Sequence, residues 1–299
     1  MTEEKNTPPV CSYEGSDYQL QFWDQGNRAY EDAVEAIALK RLLPPAGKLL
    51  LELGAGAGRN TLRYHMYDRV VLLDYSRTQL EQAHDRLGDS PRYVYVAADV
   101  YRLPFVHALF DGATMIRTLH HMADPALALT EVRRVMQSGG VFILEFANKR
   151  NLKAMLRYLL GKQDWSPYSL EAVEFAELNF DFHPRAVRHW LADASFHLER
   201  QLTVSHLRVG FLKRHLPLTL LASLDALLQW TGGLVQVSPS VFTRSRAVGQ
   251  AGASPAEGFF QCPSCGQALD LVASDVNCPS CKAVWPFRDG IYDFRIPGA

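Results

Sequence analysis

Short apolar runs alternate with polar, helix-periodic segments through the first half of the chain. Residues 49–53, 69–74, 92–97, 110–116 and 141–146 are near-continuous apolar stretches, with few polar interruptions such as Glu52. Runs of this kind suit strands of a parallel sheet covered on both faces. Between them, residues 78–87 and 124–136 carry apolar positions at helical spacing, and a further helix is expected between Gly58 and Tyr67. Upstream, residues 21–43 read as a helix: Tyr30, Val34, Ile37 and Ala38 share one face, and Pro44-Pro45 ends it. Downstream, residues 184–194 form a helix, 197–205 a sixth strand, 208–233 an apolar helical insertion, and 240–248 a seventh, antiparallel strand. The expectation is an α/β fold with a doubly wound, seven-stranded, mostly parallel sheet.

Polar residues collect where these strands should end. The first strand runs into Gly54-Ala55-Gly56-Ala57-Gly58, a turn with no Cβ at every second position, so backbone can approach a ligand closely. The spacing is Gly-x-Gly-x-Gly rather than the Gly-x-Gly-x-x-Gly of pyrophosphate-binding turns. Glu52, two residues before the first glycine, suits a ligand with a cationic amine. Asp74 closes the second strand, 20 residues after Gly54, where a carboxylate can accept both hydroxyls of a ribose. Asp99 closes the third and can accept an adenine amino N–H, while Val100 offers a backbone N–H. Leu103-Pro104-Phe105 could close over the base. Trp23, Arg28 and Tyr30 are candidates to line the pocket from the upstream helix. On the glycines alone, nicotinamide, flavin and sulfonium cofactors all remain open.

Charge and composition narrow the partners. Of 299 residues, 47% are hydrophobic and 21% charged, and the net charge of −1 leaves no global basic footprint for nucleic acid. Residues 149–162 nevertheless form a basic amphipathic segment, open to readings as a membrane surface, an RNA contact or a solvated face. No apolar run reaches the length of a membrane span. The polar, acidic N-terminus is unlike a secretory signal, so a cytoplasmic chain is expected, with residues 1–16 disordered. Four of five cysteines form two Cys-x-x-Cys pairs, Cys262/Cys265 and Cys278/Cys281. That spacing predicts a closed, structural Zn²⁺ site rather than a redox dithiol or an iron–sulfur cluster. A segment of this size has too small a core to fold unaided. The organisation expected is a tail and cap helix over 1–46, a catalytic domain over 47–248, a linker over 249–258 and a zinc ribbon over 259–299.

Assembled, Glu52 to Gly58, Asp74-Tyr75-Ser76, Ala98-Asp99-Val100, Phe110-Asp111, Leu119-His120-His121 and Glu131 to Val135 with Gly139-Gly140 resemble the class I S-adenosylmethionine-dependent methyltransferases. The likeness is to the group that includes the ubiquinone and menaquinone biosynthesis enzymes. It covers about residues 48–147 and implies strand order 3-2-1-4-5-7-6. It also implies S-adenosylmethionine contacts from Glu52, Gly54, Ala55, Gly56, Gly58, Asp74, Tyr75, Asp99, Val100 and Arg117. His120 and His121 stand where a general base would be useful, and Asp181 and His183 are weaker candidates. The tail resembles the small zinc-ribbon activator subunits of tRNA, rRNA and release-factor methyltransferases, on the cysteines and on Trp285-Pro-Phe-Arg-Asp-Gly-Ile291. The two resemblances imply an enzyme acting on a small or lipidic metabolite, with RNA or a translation factor as the alternative acceptor. A non-catalytic cofactor-binding protein is a second alternative. The ribbon is expected to pack on the catalytic domain in cis.

Overall fold

The computed structural model describes residues 8–16, 19–26, 28–249 and 257–296. Seven strands form the expected core: β1 (Gly47–Leu53), β2 (Tyr67–Asp74), β3 (Tyr93–Ala97), β4 (Phe110–Met115), β5 (Met136–Ala147), β8 (Phe196–Val204) and β9 (Ser240–Ala247). Their order is β3-β2-β1-β4-β5-β9-β8, with β9 antiparallel to both neighbours. Strand period two divides the apolar runs between two cores. Leu51, Leu53, Val71 and Leu73 face one side, while Leu50, Val70 and Leu72 face the other.

Helices α1 (Ala29–Leu42), α2 (Arg77–Leu87) and α7 (Leu218–Leu228) contribute to the second core. Helices α3 (Pro125–Val135) and α5 (Pro184–Asp193) contribute to the first. The apolar insertion between β8 and β9 is broken at Pro217 into α6 (Gly210–His215) and α7. The basic segment supplies α4 (Leu152–Leu159), and β6 (Val173–Ala176) with β7 (Asn179–Asp181) makes a hairpin. Tyr30 does not line a pocket: its hydroxyl donates to the buried Asp225 carboxylate at 2.6 Å, pinning α1 to α7.

Three expectations are corrected. No helix follows the glycine turn. A single 3₁₀ turn, Thr61–Tyr64, leads into β2; the side chains that could cap a helix are engaged elsewhere, Asn60 by Arg63 and Thr61 by Glu52. Residues 8–16 are ordered over the sheet edge, where Val10 bridges to Met122; residues 1–7 lie outside the described residues. The sheet has nine strands, not seven.

The two extra strands belong to the C-terminal segment. It contains the pairs β10 (Phe260–Gln261) with β11 (Ala268–Leu269) and β12 (Val276–Asn277) with β13 (Val284–Trp285), followed by β14 (Phe287–Arg288) and β15 (Ile291–Asp293). β15 pairs in parallel with β3, placing Tyr292 beside Val96 and covering an otherwise open sheet edge. Leu103-Pro104-Phe105 serves this docking rather than covering a base. Pro104 O accepts from Gln261 N at 3.0 Å, and the Phe105 ring stacks on Phe260 with centroids 5.9 Å apart. Most of the linker expected over 249–258 lies outside the described residues.

Candidate cofactor and acceptor site

The carboxyl ends of β1, β2 and β4 converge on a cleft enclosing about 1020 Å³. In a sheet whose strand order reverses between β1 and β4, this is where ligands bind. Its walls include Glu52, Gly54, Ala55, Gly56, Asp74, Tyr75, Val100 and Arg117. Two expected contacts lie elsewhere. Gly58 packs its turn on α2, where an added Cβ would meet Leu87 Cδ1 at 3.0 Å. Asp99 lines a neighbouring cleft beside Tyr75, and its carboxylate accepts from Tyr101 N at 2.9 Å.

The glycines act for different reasons. A Cβ on Gly54, at φ +65°, would lie 2.2 Å from Thr118 Oγ1, so this glycine lets the turn seat against the segment after β4. A Cβ on Gly56 would meet nothing nearer than Gln79 Oε1 at 3.8 Å, and this side of the turn faces the cleft. The Gly56 N–H donates to Asp74 Oδ2 at 2.8 Å, and Ser76 N donates to Oδ1 at 2.9 Å. The substitution Gly54→Ala is expected to cost roughly 2–5 kcal/mol, from the left-handed backbone and the overlap together. Removing the obstacle in Gly54→Ala/Thr118→Gly should recover the steric part in denaturant titrations. Equal destabilisation in the single and double variants would contradict this packing.

Glu52 is buried, and Thr61 Oγ1 donates to its Oε2 at 2.6 Å. Burial pushes its carboxyl up to about 8, which the Thr61 hydrogen bond and the Arg59 and Arg63 charges only partly oppose. Burial likewise pushes Asp74 up, against hydrogen bonds from Ser76 and Gly56 N–H.

Beside them is a charged network that sequence reasoning missed. Glu35, fully buried on α1, accepts from Arg117 Nε at 2.6 Å and from Arg59 at 2.8 Å. Burial pushes Glu35 up, but the Arg117 and Arg59 guanidiniums outweigh it and hold the carboxylate below its ordinary range. Arg59 lies 3.5 Å from the Trp23 ring centroid and pairs with Asp32. Arg117, at φ +56°, also donates its N–H to Glu145 at 2.9 Å. The available signal was Glu31 and Glu35, two acids four residues apart on a face otherwise apolar. Trp23 lines the cleft as expected; Arg28 lines the adjoining one instead.

That second, larger cleft shares Tyr13, Arg117 and His121 with the first. Its walls add His120, Glu145, Asp181, Arg208 and the apolar side chains Leu152, Leu156 and Leu160. His121 Nδ1 lies 3.1 Å from Leu178 O, so it carries the proton and donates. Nε2 then accepts from Tyr13 OH at 3.2 Å. Its lone pair is engaged, which makes His121 a strut between the two clefts. His120 Nδ1 is buried without a partner, and burial, then the His121 and Arg117 charges, holds the imidazole neutral. Asp181 is pushed up to about 6 by burial, and His183 lines a different cleft.

In the C-terminal segment, Cys262 Sγ lies 3.6 Å from Cys281 Sγ, and Cys265 Sγ lies 3.5 Å from Cys278 Sγ. All four sulfurs fall within 4.8 Å of one another. Disulfide sulfurs would be about 2.05 Å apart. Four thiolates about 2.3 Å from one Zn²⁺ would be about 3.8 Å apart, which these distances fit.

The sheet order and the glycine turn with Asp74 opposite it define a class I S-adenosylmethionine-dependent methyltransferase fold. Residues 51–144 match the family model described as a methyltransferase domain. A demethylmenaquinone methyltransferase from Clavibacter sepedonicus is 34% identical over 162 residues, covering 53% of this chain and 66% of that protein. The 27-O-demethylrifamycin SV methyltransferase of Amycolatopsis mediterranei is 31% identical over 134 residues, 42% of this chain and 49% of its own length. The chain thus spans about half to two thirds of the length of these two relatives. Among solved structures, an S-adenosylmethionine-dependent methyltransferase described as putative, from Listeria monocytogenes, superposes with a TM-score of 0.54 at 16% identity, covering 74% of this chain and 99% of that one. A Haloferax volcanii complex between the Trm112 methyltransferase activator and a methyltransferase gives 0.53 at 18% identity, covering 78% and 98%. These two likenesses support the fold.

Proposed function

We propose that the chain transfers a methyl group from S-adenosylmethionine to a small or lipidic acceptor. The observation that carries this reading is the pair of clefts meeting at Tyr13, Arg117 and His121, one walled by the glycine turn and Asp74, the other by Leu152, Leu156 and Leu160 together with charged side chains such as Arg28, Lys153, Asp181 and Arg208. The backbone around Gly56 and the Asp74 carboxylate would hold the nucleoside, and Glu52 the amino group. When bound, the cofactor supplies an electrophilic methyl on a sulfonium. The chain then has to align the acceptor and exclude water, with Trp23 and Tyr13 forming the walls nearby. His120, with its unpartnered Nδ1, is the better placed of the pair to take a proton where an acceptor must lose one. Exposed Leu152, Leu156 and Leu160 at the second cleft's rim favour an apolar acceptor. Among the described residues, no helix is long and apolar enough to cross a membrane.

Incubating the chain with methyl-labelled S-adenosylmethionine and separate lipid, RNA and protein extracts tests this. Label is expected in the organic-soluble fraction. Label in RNA or protein alone would favour the acceptors suggested by the ribbon. We further propose that Cys262, Cys265, Cys278 and Cys281 hold a structural Zn²⁺.

Glu52 gives the reading a pH signature. Below about 8 the buried carboxyl is protonated, and an ammonium group beside it favours the ionised form, so binding expels a proton. Affinity for S-adenosylmethionine should rise as pH approaches about 8 and fall again where the ligand's own amino group loses its proton. The ligand-free chain shows the opposite sign. Its folded state keeps a proton that the unfolded chain releases in the ordinary carboxylate range, so this group's contribution to stability is lost as pH rises through about 8. Calorimetry in two buffers of different ionisation heat reads the released proton, and Glu52→Gln should abolish it. Affinity falling with rising pH below about 8 would contradict the assignment.

A further inference from the structure

A third cleft lies on the far side of the segment that joins β5 to α4, outside both clefts described above. Arg150, His183, Arg185, Arg188, Gln201 and Gln236 line it. No carboxylate pairs with any of the three arginines among the described residues; the nearest partners of Arg188 are the amide oxygens of Gln201 and Gln236, at 3.5 and 3.4 Å. The leading charges acting on His183 are positive. Burial, then Arg150, Lys149, Arg185 and Arg188, push its imidazole down to about 4.

Like charges gathered without a counter-ion oppose folding, so their placement in one concavity needs a compensating group. The polar side chains around them present donors. Arg185 N donates to His183 Nδ1 at 3.1 Å, which leaves the proton on Nε2 of this buried ring. Gln201 is only 9% exposed, and its Nε2 has no hydrogen-bond partner. Its own carbonyl faces Arg188, so the two atoms of the amide are distinguished by the network.

We propose that this cleft is a binding site for a phosphate group, held by Arg150, Arg185 and Arg188 with the His183 Nε2–H. Planar guanidiniums match the oxygens of a phosphate in pairs, and none of the three is neutralised by a carboxylate among the described residues. The ligand is compact, a phosphomonoester or a single phosphodiester headgroup. The cleft is one concavity with the exposed Arg185 at its edge, not a basic track along the surface. The site is independent of methyl transfer and needs no cofactor.

The full chain titrated with inorganic phosphate at constant ionic strength, with chloride as the reference anion, tests the site. Saturable binding and a rise in melting temperature are expected. Arg188→Gln should weaken phosphate binding about tenfold or more, the effect of losing a charge-assisted pair. Removing one of three repelling charges should leave this variant no less stable than the parent without phosphate, so loss of binding is separable from loss of fold. S-adenosylmethionine binding, read in the same variant, should stay unchanged. Glycerol phosphate against phosphatidic acid vesicles distinguishes a soluble ligand from a lipid headgroup, and either one competing with phosphate fits the site. Equal phosphate response in parent and variant would overturn the proposal. So would binding of a single-stranded RNA with no response to phosphate, since it would mark an extended polyanion surface instead.

Discussion

Replacing Cys278 with Ser is expected to release the metal and unfold the whole C-terminal segment. The segment's regular structure is six strands of two or three residues in three antiparallel pairs, and its core is Phe260, Trp285, Tyr292 and Phe294 around the buried Cys262 and Cys278. Cores this small rarely hold alone, and a structural zinc supplies on the order of 10 kcal/mol at neutral pH. The consequence reaches the catalytic domain. β15 covers β3, Phe294 N donates to Ala97 O at 2.8 Å, and Phe260 packs on Phe105. Without the ribbon, β3 becomes an open edge next to an uncovered aromatic cluster, which favours aggregation. One zinc per chain is expected by elemental analysis, falling toward zero in Cys278→Ser together with amide protection at residues 95–97. Full protection there in the metal-free variant would show that the ribbon folds and docks without zinc.

Asp74→Asn should weaken S-adenosylmethionine binding by roughly 100-fold, since two hydrogen bonds from ribose hydroxyls to a charged acceptor are lost or reduced. The carboxylate already accepts from Gly56 N and Ser76 N, one on each oxygen, which fixes both oxygens at the cleft wall. Asn keeps the shape but only one acceptor, so either the Gly56 or the Ser76 N–H loses its partner and a modest fall in melting temperature accompanies the loss of affinity. Asp74→Ala removes both acceptors and should also loosen the turn. Unchanged affinity in the Asn variant, with an intact fold, would remove the ribose assignment.

The sheet was legible because fully buried strands leave long apolar runs and strand ends leave acids. Strand order followed from resemblance, and the β3-β2-β1-β4-β5-β9-β8 arrangement agrees with it. Local pattern failed where the deciding partner is remote in sequence. Leu103-Pro104-Phe105 looks the same in one dimension whether it covers a base or receives Phe260 from the ribbon. Tyr30 lies on the apolar face of α1 as expected, yet its hydroxyl is claimed by Asp225, which the sequence places far away in the insertion. The Glu35–Arg59–Arg117 network was hidden for the same reason. Glu35 and Arg59 read as ordinary surface charges, and Arg117 as a cofactor contact, until α1, the glycine turn and the end of β4 meet. The turn after Gly58 failed differently. Arg59-Asn60-Thr61 resembles a helix start, but Asn60 makes no cap and Thr61 donates to Glu52, and only a 3₁₀ turn forms.

The central claim is that S-adenosylmethionine binds where the glycine turn faces Asp74. Calorimetric titration of the full chain with S-adenosylmethionine measures it most directly. One site per chain is predicted, competed by the demethylated product and weakened in Asp74→Asn. Absence of saturable binding by a chain that is folded and carries its zinc would contradict it.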